Sequence, residues 1–356
     1  MEADAVIVGA GLIGLALARE LRRRGFGVTV LEAGEAARQA SWAGAGMLAA
    51  SQTEDAVLRP LARASARLYP TWVEELERET GMPVGYRPSG TLFLATAAHP
   101  APQPELGGWE RVESSEVASL EPGLRCAGGD EIWRISADHS VDNRALGAAL
   151  LHSARARGTR VVEHEPVSAV ESESGGMLVR AAAETYRAAI VVNAAGAWAS
   201  SIAAPVATPV RPRKGQMLRL RAGFDLRHVI EGDGVYLVPR AQGRVLVGAT
   251  VEDVGFAPGL EPERLEELRQ RAVALVPGLA TAEVEEMWAG YRPCSDDERP
   301  ILGPTACPGY WIAAGHYRDG ILLTPITAKI MASAIATGQL TKALDLKPFL
   351  AQRFGG

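Results

Sequence analysis

Cysteine is scarce. Only Cys126, Cys294 and Cys307 occur in 356 residues, too few and too scattered for a disulfide framework or a zinc site. That scarcity fits a reducing cytoplasm. Positive charge is not in excess either: 37 Lys and Arg stand against 42 Asp and Glu, a formal net charge of −5. This gives no reason to expect nucleic acid or an anionic membrane as partner. No uncharged apolar stretch reaches the roughly 18 residues of a spanning helix; the run from Leu12 is closed by Arg19 and Glu20. The first expected strand begins by about Ala5, which leaves no room for a secretory signal. Internal repeats and low-complexity tails are lacking. No His, Cys, Asp or Glu group has metal-ligand spacing, so no metal is expected. What is present, 47% hydrophobic and 22% charged residues, suits a globular chain long enough for two domains.

The opening reads as a βαβ unit. Asp4 to Val8 is a short apolar strand, Leu12 to Arg24 has helical spacing with three arginines at its end, and Val28 to Glu32 is a second strand. A parallel crossover follows from that order. Within it, Gly9-Ala10-Gly11-Leu12-Ile13-Gly14 is a GxGxxG run. Gly9 allows the tight turn, Gly11 lets backbone approach a pyrophosphate, and Gly14 lets helix and sheet pack closely. The helix start offers N–H groups to phosphate. Glu32, eighteen residues past Gly14, suits an adenosine ribose and disfavours a 2′-phosphate.

This much fits NAD as well as FAD. Three further segments favour FAD. Ser41 to Met47, with Gly44 and Gly46, follows soon after the acidic residue, where a segment can lie along a ribityl chain and flavin. Asn193-Ala194-Ala195-Gly196-Ala197-Trp198 ends another strand in small residues. Gly315-His316-Tyr317-Arg318-Asp319-Gly320 precedes a C-terminal helix, whose N-terminus suits negative charge on a reduced flavin.

Between these lie helices over Pro60 to Thr80 (with Leu61, Ala64, Leu68, Trp72 and Leu76 on one face), Asn143 to Arg157, Pro262 to Val276 and Ile321 to Thr337. Strands are expected at Gly90 to Thr96, Arg160 to Glu163, Ala188 to Ala195, Gly215 to Arg221 and Tyr310 to Ala314. Gly234 to Arg240 and Arg244 to Thr250 should form an antiparallel hairpin. His99 to Gly108, rich in proline, reads as an exposed loop. The fold class is α/β: a Rossmann-type FAD-binding domain with a parallel sheet, plus a second α+β substrate domain with a mainly antiparallel sheet. The expected division is 1–82, 137–205 and 287–356 for the flavin domain, and 83–136 and 206–286 for the substrate domain.

Several strings together resemble the D-amino acid oxidase superfamily of FAD-dependent oxidoreductases, and most of all its glycine oxidase branch, associated with making the thiazole of thiamine. They are the N-terminal run, Ala43 to Leu48, Val191 to Trp198, Tyr236-Leu237-Val238-Pro239-Arg240, Val247 to Glu252, Gly290-Tyr291-Arg292-Pro293 and Gly315 to Leu323. The resemblance spans nearly the whole chain. It implies oxidation of glycine or a small amine or D-amino acid, with molecular oxygen and water, to an oxo acid, ammonia and hydrogen peroxide. It implies that Arg292 and Tyr236 grip the substrate carboxylate with Arg318 close by, and that Met47, Val251 and Tyr291 line the pocket. The cofactor-binding set becomes Gly9, Gly11, Leu12, Ile13, Gly14, Glu32, Ser41, Gly44, Gly46, Met47, Val167, Ala195, Gly196, Trp198, His316, Tyr317, Arg318, Asp319, Gly320 and Ile321. A homotetramer is implied as well. The sequence departs from the family where Tyr291 replaces Leu, Asp319 replaces Asn and Asp297-Glu298 replaces Asp-Gly.

The chemistry asks the protein for orientation more than for acid or base, since a flavin takes the hydride. A guanidinium matches a planar carboxylate, so an Arg anchor is expected. Arg292, taken to follow a strand, fills that role; Arg318 suits substrate or flavin. His316 reads as a neutral, hydrogen-bonded histidine or as a base, and His139 as an interdomain or capping residue. Cys294 lies near where related sarcosine oxidases link their flavin; a free thiol beside non-covalent FAD is the expectation. The alternatives are a dehydrogenase with a non-oxygen acceptor, a sarcosine oxidase-like N-demethylating enzyme, and a flavin-binding subunit without catalysis.

Overall fold

The structure is a computed structural model that describes residues 2–96, 108–125 and 130–355. Cys126 and all but the last residue of the proline-rich His99 to Gly108 stretch lie outside those residues. Alternation along Ala5-Val6-Ile7-Val8 builds the first domain. The strand Glu2–Val8 pairs in parallel with Val28–Leu31 on one side and Thr185–Asn193 on the other. Its two faces are both buried, so every residue of the run is apolar. Ala5 and Ile7 face a helical layer formed by Leu12–Arg23, Arg59–Thr80, Asn143–Ala156 and Gly320–Thr337. Val6 and Val8 face the hairpin Val167–Glu173 and Gly176–Ala181. The sheet is completed by Arg160–Val162, Tyr310–Ala314 and Ile301–Pro304, the last antiparallel.

The second sheet also has eight strands, in the order Glu283–Ser295, Val210–Arg221, Arg244–Gly248, Val235–Pro239, Val229–Gly232, Thr91–Ala95, Glu131–Ile135, Trp109–Val112. All pairs are antiparallel except Val229–Gly232 with Thr91–Ala95. The expected hairpin is there, closed by a turn at Gln242 and Gly243, both at positive φ. One face buries Leu218, Leu237, Val245 and Val247 under the helix Pro262–Leu275. The other presents Met217, Val229, Val238, Leu246 and Trp288 to Ala43 and Ala45 of the first domain. The candidate site lies between these layers.

Three sequence expectations shift. The buried face of Arg59–Thr80 runs through Leu61, Ser65, Tyr69, Trp72 and Leu76; Ala64 and Leu68 sit at its margin. The stripe turns because Ser65 Oγ donates to Leu322 O at 2.6 Å and Tyr69 Oη to Ile321 O at 2.5 Å, so two hydroxyls join the core. Gly320–Thr337 is long and apolar enough to cross a membrane by length and composition, with Lys329 its one charge. It is nonetheless buried among Leu12–Arg23 and Arg59–Thr80 as a core helix. Arg292 does not follow a strand but stands inside one, Glu283–Ser295, which puts 287–295 in the second sheet. Pro293 is tolerated there because this is an edge strand and its partner is Pro212.

Candidate active site

The glycine run forms a cradle. Gly9 has φ +105°, and a Cβ on it would strike the carbonyl of Ala194, just past the end of the neighbouring strand. A Cβ on Gly14 would strike the Gly9 carbonyl. Side chains are therefore excluded on both sides of the turn. The helix Leu12–Arg23 opens with no side-chain cap on Gly11 and no acid in its first turn. Ser41 Oγ accepts from Leu12 N at 3.0 Å. The Ile13 and Gly14 N–H groups that follow lie in the first helical turn, where no intrahelical acceptor exists. Glu32 faces the same turn and accepts from Ala10 N at 2.8 Å and Gly34 N at 3.0 Å.

Three segments converge on this cradle. Ser41 to Met47 forms the short helix Ala40–Ala43 and the strand Met47–Leu48, with Gly46 at φ +72° against the Val141 carbonyl. Gly44 leaves space occupied by Ile321 Cδ1, 2.7 Å from where its Cβ would be, so this segment meets the start of the C-terminal helix. Ala195 and Gly196 open a 3-10 turn at the end of Thr185–Asn193, and Val167, half-buried, packs against the apolar cluster that includes Val8 and Leu31. The turn Gly315 to Gly320 precedes Gly320–Thr337, whose N-cap Asp319 makes no side-chain cap bond. Burial raises the Asp319 carboxyl to about 6, with Arg318 opposing. Burial pulls the His316 imidazole down to about 3, which favours the neutral form, and Nε2 meets Thr327 Oγ1 at 3.2 Å. Tyr317 holds φ +46° and donates its N–H to Pro293 O at 2.7 Å, tying the turn to the second sheet.

The clamp residues share one wall. The Arg292 guanidinium lies over Gly215, where any Cβ would collide with it. Nη1 donates to Thr250 O at 3.1 Å, and among the described residues no carboxylate forms an ion pair with it. Tyr236 stands beside it over Gly248, whose Cβ would come 2.6 Å from the Tyr236 hydroxyl. Burial raises that phenol, and the Arg292 charge opposes the rise. Met47 and Tyr236 pack on the same apolar cluster. Arg318 is exposed, with its guanidinium 5.1 Å from the Tyr317 ring centroid.

Two expected residues stand elsewhere. Tyr291 neighbours Arg292 on a strand, so alternation sends it away from the clamp; its hydroxyl donates to Ala257 O at 3.0 Å and to Phe256 O at 3.3 Å. The Trp198 ring is stacked on Phe256 at 4.8 Å and meets Tyr291 edge-on at 6.1 Å, so it bridges the domains through the 251–260 loop. Val251, at the start of that loop, is 46% exposed. His139 Nδ1 lies 2.5 Å from Tyr86 Oη and edge-on to its ring, a hydrogen-bonded aromatic contact that joins the 83–136 and 137–205 stretches.

Sequence reading missed the residues that hold the flavin-side loop. Asn143 Nδ2 donates to Ser41 O at 2.8 Å and Trp42 O at 3.0 Å, while Arg240 Nη2 donates to Ala45 O at 2.7 Å and Asn143 Oδ1 at 3.2 Å. It also missed Gln52, Asp138 and Glu231, joined by hydrogen bonds across 86 and 179 residues. Separations of that size leave no periodic signal; only the Tyr236–Arg240 string hinted at Arg240.

A glycine-turn dinucleotide cradle on the first sheet and, on the second, a guanidinium that forms no ion pair among the described residues define the class as a Rossmann-type dinucleotide-binding protein. A family model described as FAD dependent oxidoreductase matches residues 4–334, and the chain belongs to that family. It is 38% identical over 352 residues to the bifunctional protein ThiO/ThiG of a Nostoc species, covering 94% of this chain and 53% of that protein. The chain thus spans about half the length of the bifunctional relatives it matches. It is 34% identical over 369 residues to glycine oxidase of Geobacillus kaustophilus, covering 99% and 97%. The crystal structure of glycine oxidase from Geobacillus kaustophilus superposes with a TM-score of 0.91 at 32% identity, over 99% of both chains.

The residues present fit FAD, the cofactor of this family. The uncapped helix start and the glycine turn suit the pyrophosphate, Glu32 the ribose, and the Ser41 to Met47 segment the flavin side. Because Arg240 fixes that segment from the second domain, Arg240→Met is expected to weaken FAD affinity about tenfold, the scale of one charged hydrogen bond. Titrating apoprotein with FAD by flavin fluorescence checks this; an unchanged affinity removes Arg240 from the role.

Proposed function

We propose that this chain oxidises glycine, or another small amine or D-amino acid, with oxygen and water to an oxo acid, ammonia and hydrogen peroxide. The observation that carries this reading is Arg292. A guanidinium without a carboxylate partner among the described residues, laid over a glycine and flanked by a tyrosine hydroxyl, is suited to receive a carboxylate. Full-length likeness to glycine oxidases supports the substrate class. A role in thiamine biosynthesis belongs to the same reading, as do a homotetramer and a cytoplasmic location; Cys294 and Cys307 are both free thiols.

The glycine cradle, Glu32 and the Ser41 to Met47 segment would hold FAD, which would supply a two-electron acceptor for the Cα–H bond, with oxygen as the final oxidant. The chain's part is orientation. Arg292 and Tyr236 hold the carboxylate, with Arg318 at the rim and Met47 and Val251 bounding the side-chain space. Water then hydrolyses the released imine, which requires no protein nucleophile. We assign 1–82, 137–205 and 287–356 to the flavin domain and 83–136 with 206–286 to the substrate domain, with 287–295 lending their strand to the second sheet.

The test is anaerobic bleaching of the bound flavin by glycine, sarcosine, D-alanine and D-proline, followed by peroxide measurement in air. Bleaching with peroxide is the expected result; if no amine bleaches the flavin, the reading fails. Bleaching without peroxide would instead favour a dehydrogenase. We expect the flavin to be non-covalent. Cys294 is fully buried and burial raises its thiol, which suppresses the thiolate a link would need. Denaturing the holoprotein should leave all yellow colour in the supernatant; colour in the precipitate would show a covalent link.

A further inference from the structure

Glu231 is a carboxyl group in the wall of the cleft. Its strand, Val229–Gly232, pairs with Val235–Pro239 so that Glu231 stands directly opposite Tyr236. Directly opposed residues share a face and sit with their Cβ atoms about 5 Å apart. Val229, two residues before Glu231 and on that same face, belongs to the cluster that meets Ala43, Ala45 and Met47. Glu231 is thus on the clamp side of the sheet, and it is partly accessible.

What holds Glu231 is another acid's partner. The Gln52 side-chain amide donates one hydrogen to Glu231 Oε1 at 2.6 Å and the other to Asp138 Oδ2 at 3.1 Å. Two carboxylates on one amide fix its orientation, since only the NH2 end serves both. Asp138 is completely enclosed and also accepts from Ser51 N at 2.9 Å. Among the described residues no Lys, Arg or His forms an ion pair with Glu231 or Asp138, and only one oxygen of Glu231 has a hydrogen-bond partner. This face of the sheet therefore carries the Arg292 guanidinium on its edge strand and, four strands along with Tyr236 between them, a carboxyl that has no ion-pair partner among the described residues.

We infer that Glu231 is a specificity-determining residue: it selects substrates whose only anionic group is the carboxylate held by Arg292, and rejects those bearing a second anion on the amine or on Cα. Like charges placed together in a desolvated cleft are strongly unfavourable. A substrate N–H, in contrast, gives the free Glu231 oxygen a donor. The inference rests on the amine-oxidation reading, and names the substrate class within it.

The charge is also tunable. Burial raises the Glu231 carboxyl to about 7, the Gln52 hydrogen bond opposing and the Asp138 charge adding to the rise. The charged and titratable groups around it are Asp138 through Gln52, Tyr236 across the strand pair, and Arg292 and Arg318 beyond Tyr236. Protonation as pH falls through about 7 removes the repulsion, so rejection of dianions weakens toward acid.

The experiment compares kcat/KM for glycine with that for iminodiacetate and D-aspartate in the holoenzyme, for wild type and Glu231→Gln, from pH 6 to 9. The expected result is that Glu231→Gln raises the dianion-to-glycine ratio at least about tenfold at pH 8 and flattens its pH dependence. A ratio that does not move while glycine is oxidised overturns the inference and leaves amine oxidation standing. Failure of every amine to reduce the flavin overturns both. Should the variant not fold, the wild type alone decides: perturbation of the flavin spectrum by glycolate should be nearly pH-independent, whereas binding of sulfoacetate, whose two anionic groups do not titrate in this range, should tighten at least about fivefold from pH 8 to 6 as Glu231 is protonated. Parallel pH dependence for the two acids overturns the inference.

Discussion

Arg292→Ala is expected to raise KM for the amino acid substrate at least about tenfold, because a charged hydrogen-bonded contact is worth roughly 1.5–3 kcal/mol. It should lower kcat as well, since an unanchored carboxylate lets the Cα–H bond swing out of line. Arg292→Lys keeps the charge but not the fork, so it should fall between alanine and wild type. Gly215 gives an independent route to the same residue. A methyl at 215 would occupy the space of the guanidinium itself, so Gly215→Ala should displace Arg292 and raise KM without removing any charge. Steady-state kinetics on the three variants decide the matter. An unchanged KM in Arg292→Ala takes that residue out of the clamp, and tight substrate binding in Gly215→Ala shows that the guanidinium works from another position.

The parts of this molecule written in contiguous residues were the parts legible in its sequence. The glycine cradle is one turn between a strand and a helix, and each glycine's steric reason reappears as a specific collision in three dimensions. The parallel strands and the hairpin follow from apolar runs bounded by turns. Arg292 was legible through its family string but not its setting, because Pro293 argued for a strand end and only the edge position and Pro212 opposite make it a strand interior. The Tyr291 side chain illustrates the same limit. A one-residue step along a strand reverses direction, so a pocket residue and its neighbour cannot be assigned to one wall without knowing that they lie in a strand. The Gln52–Glu231–Asp138 group was beyond reach, since its members come from a 3-10 turn, a strand and a loop brought together by the interdomain packing. His316 read from its string as a neutral, hydrogen-bonded histidine or as a base, and burial, which pulls its imidazole down to about 3, favours the first reading.

Glu79→Gln should destabilise the fold from outside the cleft. Burial alone would raise this carboxyl, but hydrogen bonds from Arg157 at 2.6 Å, Ser153 at 2.5 Å and Arg19 at 2.8 Å bring it down from 4.5 to about 2. It ties the helix Arg59–Thr80 to Leu12–Arg23 and to the end of Asn143–Ala156, under the very helix that carries the glycine cradle. A folded pKa below the unfolded one means that the contribution is fully present above pH 4.5 and is lost as pH falls toward 2. At 1.36 kcal/mol per pKa unit, the shift corresponds to about 3 kcal/mol at neutral pH. The variant also leaves the Arg19 guanidinium, 1% exposed, with Glu20 at 3.7 Å as its one counter-charge among the described residues. Removing one partner of a buried pair costs about 3–5 kcal/mol, so the upper part of that range applies if Arg19 finds no water. Urea denaturation of the holoprotein should therefore show Glu79→Gln less stable by about 3 kcal/mol at pH 7. The gap should shrink as pH is lowered through the range from 4.5 to about 2, because the wild-type carboxylate is then protonated too. A gap that stays constant with pH would mean that Glu79 contributes packing rather than charge.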